Sequence, residues 1–181
     1  MRKLNGILTA VILVLFLIHG IEGVFQMMGL RPASGFMKAI AWVMTGLIAI
    51  HTLIGIKYTA DTIQVWRRTG TGYFRENKLF WARRISGFAI MLLLVFHVTA
   101  FGDNSGEAYR LAYFGMAKLG CQLLLVLSIA VHVISNVRPM LISFGIRSLK
   151  ERVPDILTVL SLVLLFMAAG FVIYYLRWRL L

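Results

Sequence analysis

Leu119 to Val137 reads LGCQLLLVLSIAVHVISNV, an unbroken run without a single charged side chain. As a helix rising about 1.5 Å per residue it is about 28 Å long, close to the roughly 30 Å hydrocarbon core of a bilayer. Four other segments have the same character: Gly6 to Met28, Ala39 to Ile56, Ile85 to Phe101 and Ile156 to Leu176. None alternates apolar and polar residues with the period of two that a barrel strand needs. The expected fold is all-α: one domain over residues 1–181, a bundle of five transmembrane helices near 6–28, 39–56, 85–101, 119–137 and 156–176.

Composition agrees. Of 181 residues, 60% are hydrophobic and 14% charged, with a mean hydropathy of +0.84. Soluble domains are nearer 45–50% apolar and 25% charged, so a soluble globular core, a disordered chain and a fibrous repeat are all excluded. A net charge of +12 suits nucleic acid in principle. Here, though, the basic residues cluster between long uncharged runs, as in proteins whose partner is a lipid bilayer. The lone cysteine, Cys121, rules out an intrachain disulfide or a cysteine-held cluster made by this chain alone. Arg2 and Lys3 precede an apolar stretch longer than a signal-peptide core, with no A-x-A-like site after it, so the first helix is expected to be retained.

The connections hold the turn and charge signals. Arg31-Pro32-Ala33-Ser34-Gly35 joins the first two helices, and a basic link is expected over about Ala60 to Arg84. Gly102-Asp103-Asn104-Ser105-Gly106 opens the third connection. Arg138-Pro139 is expected to end the fourth helix and Val153-Pro154-Asp155 to start the fifth. Between those prolines, Leu141, Ile142, Phe144 and Leu149 alternate with Arg147, Lys150 and Arg152, the pattern of a short interfacial helix. Thirteen of the nineteen Lys and Arg residues fall on the side of the N-terminus and the second and fourth connections. That side is expected to be cytoplasmic, with the C-terminus outside and, in a bacterium, the chain in the plasma membrane.

All four histidines lie in these apolar segments, one in each of the first four. A polar ring in hydrocarbon is costly, and such residues face the bundle interior and mark function or a hydrogen bond between helices. His19 and His97 each follow the inner edge of an outward-running helix by thirteen residues. His51 and His132 follow the outer edge of an inward-running one by thirteen and fourteen. At about 1.5 Å per residue these positions form two levels about 10 Å apart, His19 with His97 nearer the outside and His51 with His132 nearer the inside. Facing histidines at one level can ligate a haem iron from both sides. Zinc or copper would need further ligands, and no carboxylate or second thiol lies at either level. Two bis-histidine b haems are therefore expected, with hydrogen-bonding structural histidines as the other reading. Gly23 and Gly55, each four residues after a histidine, would let a porphyrin edge approach the backbone or simply let helices pack closely. Lys57, Arg138, Arg83 and Arg84 on the inner side, and Arg31 and Lys38 on the outer, are candidates for haem propionates or plain interface anchors.

The whole chain resembles the diheme cytochrome b membrane anchor of succinate:quinone oxidoreductases, quinol:fumarate reductases included, of the single-subunit five-helix type. Arg2-Lys3-Leu4-Asn5-Gly6 running into Phe16-Leu17-Ile18-His19 is similar to that family's first helix, and His51-x-x-x-Gly55 to the end of its second. Arg84-Ile85-Ser86-Gly87 followed by His97 resembles the Arg-x-Ser-Gly motif and ligand of its haem-binding helix, and His132 with Asn136 the next helix. The resemblance implies four axial ligands paired as above. It also implies a flavoprotein subunit with FAD and an iron–sulfur subunit docked on the basic cytoplasmic face, and a bound quinone, menaquinone by preference. A higher oligomer of the complex is compatible with it. Succinate or fumarate chemistry would lie in the partner, so this chain is an enzyme only as a subunit.

A quinone site needs a proton donor or acceptor at membrane depth. Glu22 is the only carboxylate inside an apolar run; Glu22, with Gln26, is one candidate, and Arg84 with Ser86 is the inner-side alternative. Some diheme fumarate reductases carry a glutamate two residues before the fourth-helix ligand, where this chain has Ala130, which argues against such a proton pathway. Two other classes stand beside the leading one: the cytochrome b of another membrane dehydrogenase, such as a hydrogenase or formate dehydrogenase, and a haem-free proton relay or scaffold.

Overall fold

A computed structural model describes residues 2–70, 78–101, 113–145 and 152–180. They form five helices: α1 (Arg2–Met27), α2 (Gly35–Thr69), α3 (Lys78–Phe101), α4 (Met116–Ser143) and α5 (Val153–Leu180), with no strand among the described residues. All five are long and apolar enough to cross a membrane. The protein is an all-α, multi-pass membrane bundle.

Each helix outruns its apolar segment, because charge marks where a helix leaves hydrocarbon and not where it stops. The expected link from Ala60 is mostly helix: α2 continues through Lys57 and Asp61 to Thr69. Nothing in Tyr58 to Thr69 breaks it, and Arg67 and Arg68 in the last turn complement the helix dipole. It ends where Gly70 takes a left-handed φ of 62° and donates its N–H to the Trp66 carbonyl, 2.9 Å away. At 35 residues α2 is about 52 Å long, so about 20 Å of it projects beyond the bilayer core. At its other end Ser34 caps the helix, its Oγ accepting from the Met37 N–H at 3.2 Å. α3 likewise starts at Lys78, and its first turns are packed: Phe80 is buried and the Arg84 guanidinium lies 5.2 Å from the Phe80 ring centre.

Pro139 does not end the fourth helix, which runs on to Ser143. Proline deprives the helix of one N–H, so the Ser135 carbonyl four residues earlier loses its partner. Arg83 of α3 fills that place, its Nε donating to the Ser135 oxygen at 2.9 Å. Leu141 and Ile142 therefore belong to α4 and not to a separate interfacial helix. Residues 146–151, the rest of that expected helix, lie outside the described residues, as do 102–112 and 71–77. Val153-Pro154-Asp155 does open α5, with Asp155 in the first turn.

α1 packs on α2, α3 most extensively on α4, and α5 lies against both α1 and α4. The buried core sits there, among Val24, Met27, Phe114, Leu119, Leu164, Met167, Phe171 and Tyr174. Gly170 of α5 makes the α1 contact possible: a Cβ on it would stand 2.8 Å from a Val24 methyl. Gly170→Leu is expected to push α1 from α5 and cost about 1–3 kcal/mol, measured as earlier unfolding in detergent. Arg177 locks the same helices near their C-terminal ends, donating to the Met27 carbonyl at 2.6 Å, an orphan acceptor of the α1 terminus. Between the α1–α2 and α3–α4 pairs the packing is sparse, and a cavity runs there.

Candidate functional site between four helices

The cavity measures about 820 Å³, within the usual range for ligand pockets, and it is lined from all of α1 to α4. All four histidines line it. They meet as two diagonal pairs: the ring centres of His19 on α1 and His97 on α3 are 6.1 Å apart, and those of His51 on α2 and His132 on α4 are 6.2 Å apart. The rings of each pair are steeply inclined, at 75° and 89°.

Two helices measure the spacing of the levels independently. Gly87 of α3 lies against the His132 ring, its absent Cβ 3.2 Å from Cε1, and His97 follows ten residues later. Gln122 of α4 bonds to His97, and His132 follows ten residues later. Ten residues are about 15 Å of helix. The levels are thus further apart than the 10 Å expected from span edges, because the helices extend past the charges that marked those edges. Ile48, Ile90, Leu94 and Ile129 line the cavity between them.

Two of the four rings are held from behind. His97 Nδ1 donates to Gln122 Oε1 at 2.8 Å, and Gln122 is only 1% exposed. His132 Nδ1 donates to the Arg83 carbonyl at 3.2 Å, with Ser86 Oγ 3.3 Å away. Each bond fixes the tautomer and leaves Nε2 with its lone pair. Asn136 Nδ2 donates to the His132 carbonyl at 2.7 Å, tying down the same turn. His51 Nδ1, Tyr58 OH and Asn5 Oδ1 are buried polar atoms with no hydrogen-bond partner among the described residues, and all three residues line the cavity. Orphaned polar atoms on a cavity wall are what a bound polar group or water would satisfy. Gly23 also lines it, and a Cβ there would meet nothing within 4 Å, whereas Gly55 faces Arg84, whose Nη1 would be 3.5 Å from a Cβ.

The remaining sequence candidates separate. Glu22 is ion-paired with Arg31, whose guanidinium also lies over the Phe25 ring at 5.4 Å, and neither residue lines the cavity. Gln26 and Lys38 do line it. Ser86 is buried, donating to the Ala82 carbonyl at 2.5 Å, behind His132 and not in the cavity. Arg84 leans on Phe80, and Arg138 and Lys57 are exposed; none of the three lines the cavity. Gln122 escaped the sequence reading because one amide in an apolar run has no spacing signal; its position ten residues before His132 acquires meaning only once the levels are known.

Rings in simple edge contact also sit about 4.5–7 Å apart. Two imidazoles joined through one metal atom by bonds of about 2.0 Å have centres about 6 Å apart. Three features go beyond ring contact: the arrangement occurs twice, on both diagonals of one bundle, and it opens on a cavity. Among the described residues no three His, Cys, Asp or Glu side chains gather as metal ligands. Paired imidazoles therefore suit an iron whose equatorial ligands come with the cofactor. No family model, curated protein or solved structure matches the chain.

Proposed function

We propose that this chain is the membrane anchor and electron-transfer subunit of a respiratory dehydrogenase, holding two b haems, with succinate:quinone oxidoreductase or quinol:fumarate reductase as the complex. The observation that carries the reading is the pair of imidazole pairs, 6.1 and 6.2 Å apart, on the two diagonals of one cavity. His19 and His97 would hold the outer haem and His51 and His132 the inner. When bound, a bis-histidine haem supplies a one-electron iron couple. The residues of the chain do the rest: Gln122 and the Arg83 carbonyl orient the rings, Gly87 lets His132 close in, and the isoleucines and leucine between levels exclude water. A proton relay would need polar groups at successive depths, and the wall between the levels is mostly apolar, with Thr45 there engaged by the Ala41 carbonyl at 2.8 Å, which counts against it.

The partners proposed are a flavoprotein subunit carrying FAD and an iron–sulfur subunit, docked on a cytoplasmic face in the bacterial plasma membrane. The basic projecting end of α2, with Arg67 and Arg68, lies on that face in the orientation the charge balance favours. Quinone is the membrane substrate. Because Glu22 is engaged by Arg31, Gln26 and Lys38, at the outer cavity wall, are the better placed polar contacts for it, and the chain catalyses no succinate chemistry itself.

A pyridine haemochrome assay on the purified membrane protein, with protein measured separately, tests the reading. Two haems b per chain are expected. A folded, haem-supplied preparation without haem would end the electron-transfer assignment and return the histidines to helix packing.

A further inference from the structure

The two levels hold their ligands differently. At the inner level His132 of the pair leans on a main-chain carbonyl, that of Arg83, at 3.2 Å, with the Ser86 hydroxyl, itself donating to the Ala82 carbonyl, 3.3 Å away. At the outer level His97 leans on a side chain, the Gln122 amide, at 2.8 Å. A main-chain acceptor cannot be altered without moving the helix. A side-chain acceptor is an adjustable part, and Gln122 is buried to 1% exposure in a segment where every other buried α4 side chain is apolar: Leu119, Leu125 and Val137. An amide there costs about 1–3 kcal/mol unless hydrogen-bonded. Leucine would serve packing as well.

We propose that Gln122 is a positioning residue that sets the reduction potential of the outer iron, and of that iron alone, through its hydrogen bond to His97. This rests on the two-haem reading above and goes beyond it by assigning the control of one site to one side chain. The physics has a definite sign. A stronger acceptor on Nδ1–H draws the imidazole toward imidazolate, makes Nε2 a better donor and stabilises ferric over ferrous iron, so the potential falls. Removing the acceptor weakens the donor, frees the ring to rotate and raises the potential. Gln122 itself touches neither the iron nor the other pair: ten residues of α4, about 15 Å, separate it from His132.

The test is a potentiometric titration of the full chain in detergent, followed in the haem absorption bands, on the wild type, Gln122→Glu and Gln122→Leu. His97→Ala and His132→Ala identify which wave belongs to which level. One wave is expected to move down in Gln122→Glu and up in Gln122→Leu, the wave that His97→Ala abolishes, while the other stays in place. A purely structural Gln122 would change the haem content or thermal stability of Gln122→Leu without moving the midpoint of the haem that is retained. Two haems bound in Gln122→Glu with neither wave displaced, or displacement of the wave lost in His132→Ala, would overturn this inference and leave the two-haem reading intact. Absence of haem from the wild type would overturn both.

Discussion

On the proposed two-haem reading, replacing His97 with alanine is expected to reduce the haem content from two per chain to one, and His132→Ala to do the same at the other level. The pairing makes a sharper prediction than either single variant. In that reading His19 and His97, whose ring centres are 6.1 Å apart, are two ends of one site, so His19→Ala, His97→Ala and the double variant should all lose the same haem. The cross-level double, His97→Ala with His132→Ala, takes one ligand from each site and should lose both. Loss of one imidazole would be severe because no third His, Cys, Asp or Glu gathers at either pair among the described residues, and the methionines on the wall, Met91 and Met167 among them, would supply only a weaker thioether donor. Haemochrome counts and absorption spectra of the five preparations decide it. Should the cross-level double keep one haem, the diagonal pairing would be wrong even if the protein is a cytochrome.

Much of this was legible in the chain because a bilayer imposes a simple rule. Apolar runs near twenty residues long have few other uses, and so five helices could be read directly. The histidine pairing was legible for a related reason, since regular rise turns sequence position into depth. What the sequence concealed was everything set by contact between distant segments. Charges at Lys57 and Arg138 signalled exits from hydrocarbon, but they carry no signal for where backbone hydrogen bonding stops, and both helices continue past them. Glu22 drew attention as a carboxylate in an apolar run, yet its partner Arg31 is nine residues away across a turn, and neither residue lines the cavity. Gln122 and Arg177 make their bonds to residues 25 and 150 positions away, beyond the reach of any local pattern.

Pro139 is the most instructive of these cases, because the rule that proline ends helices is sound and was overridden by one side chain. The Ser135 carbonyl, freed by proline, sits where water is scarce, and an unmet acceptor there costs about 1–3 kcal/mol. Arg83 Nε meets it from α3. Arg83→Leu is therefore expected to destabilise the bundle by about 1–3 kcal/mol, seen as earlier unfolding in detergent. In a Pro139→Ala background residue 139 regains an N–H four residues from Ser135, and the helix can satisfy its own carbonyl. The same Arg83→Leu change should then cost measurably less, by about 1 kcal/mol in a double-mutant cycle, and Pro139→Ala alone should be nearly neutral. Strict additivity would mean that Arg83 stabilises the protein through its charge or its packing and not through the proline's missing bond. Coupling would show that α3 and α4 are joined at the inner level by the same arginine whose own carbonyl holds His132, so that helix continuity and ligand orientation depend on one residue.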